Sequence, residues 1–391
     1  MDVRGVRARS TNFIDRLVFA RPLTTGIAVG YVNRDEYPDL IISSSISMGS
    51  DVLAPSLVTV RTGDGDEGVV TSEPVAVFEL GLGDSPIILV DVDNDGRHDV
   101  VRNKTFAFSK ANGSFTDPDT IISGVPVGGS IWGHIDSDKT TDVAFISPEF
   151  GSVHTLLGKN GGGYREAVNT EYDGPDLDWR VFGDATGNGH ADIVGLNIPV
   201  SGPGGDEHLS GVVMLVEGDG GGHFVTDDSR TIHLQERTVH ITGGDFNCDS
   251  MIDIAIAISA PPHQGAVESN RVQVYLASDD GWEGPIDIKL PAPVHLAVGD
   301  VNGDGAHDIL VANHYYNTVD GSLSDEGRPV VLLGKGDGSF DELTLESAAP
   351  VGYFGSIQAG DVNGDGLDDV LAGHMLPGGN SVSVWISSTA E

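Results

Sequence analysis

The chain has 391 residues, of which 39% are hydrophobic and 54 are glycine, so it can build a large core and many turns. Its formal net charge of −38 disfavours nucleic acid and anionic membranes as partners, and bound cations or a very soluble, salt-adapted surface would explain the charge. Cys248 is the one cysteine, which excludes internal disulfides and thiolate metal sites.

The N-terminal segment is interpreted as a strand. The stretch MDVRGVRARSTNFIDRLVFARPL has basic residues but lacks the apolar core of about seven residues that a signal peptide requires. NFIDRLVFARPL resembles a fourth strand without its first three, and the final SVSVWISSTAE resembles a third strand without a fourth. We expect residues around Asn12 to Ala20 to complete the sheet that begins near Gly355. No apolar run is long enough to span a membrane.

A nine-residue acidic pattern repeats along the chain in seven copies. The copies begin at Tyr31, Asp91, His134, Asp184, Asp245, Asp300 and Asp361. In every copy the ninth residue is aspartate, namely Asp39, Asp99, Asp142, Asp192, Asp253, Asp308 and Asp369. An apolar and mostly β-branched segment such as DLIIS or DILVA follows each one, which predicts that a strand leaves each acidic loop.

Each repeat reads as four short strands. VHLAVGD leads into an acidic loop, DILVAN leaves it, RPVVLLGKGDG ends in a glycine turn, and SFDELTLES follows. A four-stranded unit cannot bury both faces alone, but units arranged radially cover one another. We therefore predict an all-β, seven-bladed β-propeller of four-stranded blades, closed by the N-terminal strand. Residues 1–391 would form a single domain.

The acidic loops have the chemistry of calcium sites. Oxygen-bearing side chains at positions 1, 3, 5 and 9, with glycine at position 6, are typical of a calcium loop, and hard oxygen ligands select calcium. An EF-hand is excluded because position 12 is not glutamate: it is Arg102, Val311 and Ala372 in the best copies. The alternative is an Asx-rich surface turn without an ion.

The copies differ in their ligands. Three sets are complete: Asp91, Asp93, Asp95, Asp99; Asp300, Asn302, Asp304, Asp308; and Asp361, Asn363, Asp365, Asp369. The fifth copy keeps Asp245, Asn247, Asp249 and Asp253 but has Ser250 in place of glycine. The fourth keeps only Asp184 and Asp192 as carboxylates. Loops one and three, which begin at Tyr31 and His134, are expected to bind nothing, so we predict three to five structural Ca²⁺ ions. His98 and His307, inside two loops, are expected to be solvated spacers.

The segment FGSIQAGDVNGDGLDDVLAG resembles the FG-GAP repeat, also called the VCBS repeat, of the integrin α-subunit propeller. The resemblance covers nearly the whole chain through its seven copies. It implies calcium loops on one face of the ring and a ligand face on the other. It does not fix the function, because the fold serves adhesion receptors, lectins and some polysaccharide lyases.

Several aromatic and polar residues fall on the predicted ligand face. Trp179, His240 and His295 each lie five residues before an acidic loop. Near the ends of the second strands of blades six and seven lie Asn313, His314, Tyr315, Tyr316 and His374. Such a cluster suits stacking on a sugar and hydrogen bonding to it, although histidines also serve as acid–base groups or transition-metal ligands. Alternatively, these residues share no target.

Two hypotheses of function follow. The first is a calcium-stabilised binding module, monomeric, that recognises a carbohydrate, protein or small-molecule ligand through its long loops. The second is a lyase or cyclase with a funnel at His295, His314 and His374. Familiar catalytic motifs such as GxSxG and HExxH are absent from the sequence. Filled calcium sites favour a secreted or extracellular protein, although no signal peptide is recognised.

Overall fold

A computed structural model gives the fold of the chain. It describes residues 6–7, 13–14, 22–46, 55–63, 74–82, 87–121, 129–136, 138–147, 151–160, 163–165, 167–172, 178–197, 211–234, 236–259, 270–313, 328–345, 353–376 and 379–387. Over these ranges every regular element is a β-strand, and none forms a helix long and apolar enough to cross a membrane.

The strands form seven antiparallel sheets, which are the blades. Blade one consists of β3 (Pro22–Gly30), β4 (Asp39–Ile46), β5 (Pro55–Arg61) and β6 (Ala76–Leu82). Blade two consists of β7 (Ile88–Val90), β8 (Asp99–Arg102), β9 (Thr105–Ala107) and β10 (Asp119–Thr120). Blade three consists of β11 (Gly129–Gly133), β12 (Asp142–Ser147), β13 (Ser152–Leu156) and β14 (Val168–Glu171). In these three sheets the strands lie in sequence order, so every neighbouring pair is a hairpin. The predicted seven-bladed, all-β propeller is confirmed.

The remaining four blades have the same order. Blade four consists of β15 (Asp178–Gly183), β16 (Asp192–Asn197), β17 (Val212–Gly218) and β18 (Phe224–His233), and blade five of β19 (Thr238–Gly244), β20 (Asp253–Ile258), β21 (Arg271–Ser278) and β22 (Gly281–Lys289). Blade six consists of β23 (Pro293–Gly299), β24 (Asp308–Asn313), β25 (Val330–Gly334) and β26 (Phe340–Thr344). Blade seven consists of β27 (Tyr353–Gly360), β28 (Asp369–Leu376) and β29 (Gly379–Ser387). Two N-terminal strands, β1 (Val6–Arg7) and β2 (Phe13–Ile14), pair with β29. The part that residues 1–20 play in closing the ring remains a prediction.

The hydrophobic core lies between neighbouring blades. Apolar clusters join each blade to the next, and the cluster that joins blade seven to blade one contains Ile27, Leu40, Val362 and Leu371. Trp385 of β29 is fully buried in the cluster between blades six and seven. Ring closure therefore rests on the same kind of packing as every other blade interface.

Candidate metal loops and ligand face

The ninth aspartate of each loop is a buried connector. All seven are at most 1% exposed. In each one, one carboxylate oxygen accepts the N–H of loop position 2 and the other accepts an N–H near the end of the third strand. In blade two the donors are Val92 at 3.0 Å and Ser109 at 2.7 Å. The carboxylate thus ties three strands of its blade together, which explains why every copy of the motif ends in aspartate.

Burial makes these carboxylates harder to ionise, and a bound cation would favour their charged form. Burial raises the pKa of four of them to about 7, although their two backbone hydrogen bonds act in the opposite direction; these four are Asp99, Asp253, Asp308 and Asp369. The carboxylates at loop positions 1 and 5, or 1 and 3, raise the pKa further. A divalent ion would oppose both effects by favouring the charged form.

The first-position aspartate shapes each of the five loops that have one. In the sixth loop the Asp300 carboxylate accepts the N–H groups of Gly303 at 2.7 Å and Gly305 at 2.9 Å. The fifth loop closes in the same way, because Ser250 donates to Asp245 at 2.9 Å. Ser250 does so at a φ of 73°, a left-handed conformation that glycine adopts more easily, so its substitution for glycine strains the loop without opening it.

The second loop shows how a divalent ion would fit. Asp91, Asp93 and Asp95 each bring a carboxylate oxygen within 4.8 Å of the others, as Ca–O distances of about 2.3–2.6 Å require of oxygens that share one ion. Burial, and then repulsion from Asp95, raise the pKa of Asp93. The Arg97 guanidinium contacts Asp95. The donor set therefore suits calcium, with Arg97 offsetting part of its charge.

Loops one and three hold their acidic groups differently. Loop one differs because no carboxylate stands at Tyr31. Its Asn33 side-chain amide donates to Asp35 at 2.6 Å, as the equivalent asparagines of loops five, six and seven also do. In loop three Arg165 forms ion pairs with Asp136 at 2.8 Å and with Asp138 at 2.6 Å. Sequence patterns did not indicate this arginine, because it lies on a different hairpin from the loop.

The expectation that His98 and His307 are solvated spacers is wrong. Both are half-buried and hydrogen-bond to the loop of the preceding blade: His98 Nδ1 accepts the Tyr31 N–H at 3.1 Å, and His307 Nδ1 accepts the Asp245 N–H at 2.8 Å. Asp368 has the same place in blade seven and accepts the Asp300 N–H at 3.0 Å. In blades two, six and seven the residue before the ninth aspartate therefore links adjacent blades. Burial lowers the pKa of His98.

On the opposite face, two of the sequence-predicted residues come together. The rings of His240 and His295 lie 4.0 Å apart between centroids, at 35° to each other. Both occupy the fifth position before a loop, and a β-bulge precedes each in its strand. The Leu296 N–H donates to His240 Nδ1 at 3.3 Å. Bulges re-aim side chains at the rim of a sheet, and these two histidines stack on each other across blades five and six, with His240 buried and His295 half-buried.

Blades six and seven add polar groups at the same end. The Asn313 side chain is fully buried, donates to Arg328 O at 3.1 Å, and has an Oδ1 without a hydrogen-bond partner. Ser356, which the sequence analysis missed, has the same register as His240 and His295, follows a bulge, and has a buried Oγ without a partner. Register alone would have identified it.

The other ligand-face candidates are not brought together by the structure. His314, Tyr315 and Tyr316 lie outside the described residues. Of Trp179 and His374 the strand pairing alone is described: Trp179 pairs with Gly195, and His374 lies opposite Phe354 and Ser381. Their place in a common site, like that of His314, remains a prediction.

Comparison with known proteins finds matches to family models of one repeat type. A family model described as an FG-GAP-like repeat matches residues 315–372, and one described as an FG-GAP repeat matches residues 292–332. Both matches fall on the sixth and seventh blades, where complete acidic loops join first and second strands. The chain is an integrin-like FG-GAP propeller.

Curated relatives of this FG-GAP propeller are integrin α-subunits. Integrin alpha pat-2 of Caenorhabditis briggsae is 25% identical over 268 residues, which is 58% of this chain and 20% of that protein. Integrin alpha-4 of Xenopus laevis is 32% identical over 101 residues, 25% of this chain and 9% of that protein. The matches span a fifth of the relatives' own length or less.

A solved structure shows the same architecture. The Dos1 propeller superposes with a TM-score of 0.50 at 8% identity, covering 98% of this chain and 95% of the other. At that identity the likeness concerns the fold alone.

Proposed function

We propose that this FG-GAP propeller is a calcium-stabilised binding module that recognises a carbohydrate or protein ligand on the face opposite the acidic loops. One observation carries the proposal: His240 and His295 stack at the start of adjacent inner strands, and blades six and seven add Asn313 and Ser356 with buried, unpartnered oxygens. A ligand or an ordered water would use the free hydrogen-bonding capacity of these oxygens.

The calcium part of the proposal concerns the loops of blades two, four, five, six and seven. Each keeps a first-position aspartate that accepts hydrogen bonds from loop N–H groups, and a buried ninth aspartate. The oxygens of the ninth aspartates retain free lone pairs, except Asp192 Oδ2, which accepts three hydrogen bonds from Ala185 and Thr186. An ion there would neutralise the clustered charge and stabilise the folded state by linkage. Such sites are best filled where calcium is abundant, so we place the protein outside the cell, as a monomeric propeller of residues 1–391.

The two hypotheses of function are not equally supported. Blades five and six have histidines, and blade seven has a serine, at equivalent positions. This asymmetry favours one pocket over seven equivalent sugar sites. The relatives named above do not favour the lyase or cyclase hypothesis.

A glycan array in millimolar calcium tests the ligand site. The parent should bind a defined set of glycans, His295→Ala should lose binding, and His233→Ala, which alters an exposed histidine of β18, should keep it. Binding that survives in His295→Ala would refute the site. A parent that binds no glycan would refute a carbohydrate ligand and leave a protein ligand, to be tested with the same two variants.

A further inference from the structure

The third acidic loop has no carboxylate at its first position, but its remaining carboxylates are still clustered. His134 stands in the first position, and its Nδ1 lies 2.9 Å from Thr140 O. The three remaining carboxylates, of Asp136, Asp138 and Asp142, still bring one oxygen each within 4.8 Å of one another. Carboxylates this close repel strongly unless a cation lies between them.

Arg165 supplies a cation at this cluster. Its Nη1 lies 2.8 Å from Asp136 Oδ2 and its Nη2 lies 2.6 Å from Asp138 Oδ2, so the two arms of one guanidinium bind two different carboxylates. The backbone holds the arginine in place: the Arg165 N–H donates to Leu157 O at 2.8 Å, and the preceding Tyr164 bridges to Gly158. The planar fork of arginine suits such two-point contacts.

Equivalent positions in other blades provide an internal comparison. Arg165 follows the residue that pairs with the end of the third strand, and the same position is occupied by Thr116, Val225 and Asp341 in blades two, four and six. None of these three is cationic, and their loops all keep a first-position aspartate. Among these four blades, the arginine is present only in blade three, whose loop has no first-position aspartate.

Arg97 of the second loop makes a useful contrast. Its guanidinium also contacts a loop carboxylate, that of Asp95, but it is held by Ser109 through Nε at 3.3 Å and Nη2 at 3.2 Å. No contact of Arg97 with Asp91 or Asp93 is found among the described residues. Arg97 thus offsets the charge of one loop carboxylate, whereas Arg165 bridges two carboxylates of the third loop, those of Asp136 and Asp138.

We propose that the third loop is metal-independent because the Arg165 guanidinium takes the place that a calcium ion takes in the loops of blades two, four, five, six and seven. The inference rests on the proposed calcium function of those loops. It gives blade three a tethered cation that chelators cannot remove. Like loop one, which is also expected to hold no ion, the third loop would accordingly stay ordered when calcium is withdrawn.

Hydrogen exchange of the full chain, with calcium and with EDTA, tests this inference. We expect residues 134–142 of the parent to exchange at the same rate in both buffers. Arg165→Gln should exchange about threefold to tenfold faster there in EDTA, because two charge-assisted contacts are lost. Faster exchange of parent residues 134–142 in EDTA, or an unchanged rate in Arg165→Gln, would overturn the inference.

Two controls separate this effect from general destabilisation. Lys335 is also 45% exposed at its side chain and pairs with the single carboxylate of Asp341 at 2.6 Å, so Lys335→Gln should leave residues 134–142 unchanged. Adding Asp136→Asn and Asp138→Asn to Arg165→Gln should restore slow exchange, because the repulsion that the arginine offsets is then absent. A triple variant that still exchanges fast would also overturn the inference.

Residues 300–308 and 361–369 report the calcium proposal separately, since calcium-insensitive exchange there would refute that proposal alone.

Discussion

Asp39 shows what the ninth carboxylate does in a loop that we expect to hold no ion. Its two oxygens accept the N–H groups of Val32 at 2.8 Å and Gly63 at 3.1 Å, and the side chain is 1% exposed. Asp39→Ala leaves two buried donors unpaired, so we expect a loss of about 2 kcal/mol or more in the free energy of unfolding. Urea denaturation would measure it, with Asp228→Ala, at an exposed site, as the control. Equal stability of the two variants would contradict the connector role.

The same residue makes stability depend on pH. Burial raises the pKa of Asp39 from 3.8 to about 6, so the folded state binds a proton more readily than the unfolded state. The stability that this proton contributes is fully present below about pH 4 and is lost as the pH rises through about 6. The parent's free energy of unfolding, minus that of Asp39→Asn, should therefore fall between pH 4 and pH 7. A difference that stays flat or rises would contradict this sign.

Residue-level roles were predictable where they depend on the loop itself and were missed where they depend on a neighbouring hairpin or blade. The buried ninth aspartates follow from one nine-residue pattern. His98 and His307 act on the loop of the preceding blade, 67 and 62 residues away in sequence, where no local pattern reaches. Arg165 lies 27 residues from Asp138, and only the pairing of the hairpin brings the two together.

At the scale of the element, complete and incomplete loops should respond differently to calcium. Asp365 belongs to a complete set, whereas Asp138 is bound by Arg165 and by Thr140 N at 2.8 Å. We expect Asp365→Ala to reduce the rise in melting temperature that calcium produces, because a ligand is lost. Asp138→Ala should lower the melting temperature equally with and without calcium. Thermal melts in calcium and in EDTA would decide, and equal calcium-induced shifts in both variants would contradict the ranking of the loops.

Strand boundaries were predictable because the loop defines them. Every second strand begins at a ninth aspartate, as β8 does at Asp99 and β28 at Asp369. The outer strands vary more: β10 has two residues and β18 has ten. An outer strand such as β18 is hydrogen-bonded to a neighbouring strand along one edge only, so sequence constrains its length weakly. Sequence register predicted that His240 and His295 occupy equivalent positions, but their stacking and the bulges that precede them are tertiary features.

Across the whole molecule, stability comes from interfaces that repeat around the ring. Each blade packs apolar side chains against its neighbours, and the links made by His98, His307 and Asp368 add polar contacts at the loop end of three interfaces. Removing calcium should therefore weaken the loops without dismantling the packing between blades. The interface between blades seven and one is the place where this chain of contacts must close without a covalent connection.

The N-terminal strands bear directly on that closure. Phe13 pairs with Val382 and Val6 with Ser387, so β1 and β2 cover the outer edge of β29, whose Ser387 N–H also binds Asp369 at 2.7 Å. Deleting residues 1–20 would leave β29 as an open edge, and we expect the melting temperature to fall by about 5 °C or more, with self-association through that edge. Calorimetry and sedimentation would measure both effects. Deleting residues 1–5 spares both paired strands and should change neither. If the longer deletion melts like the full chain, the inter-blade packing around Leu371 and Ile27 suffices to close the ring and the N-terminal strands are dispensable.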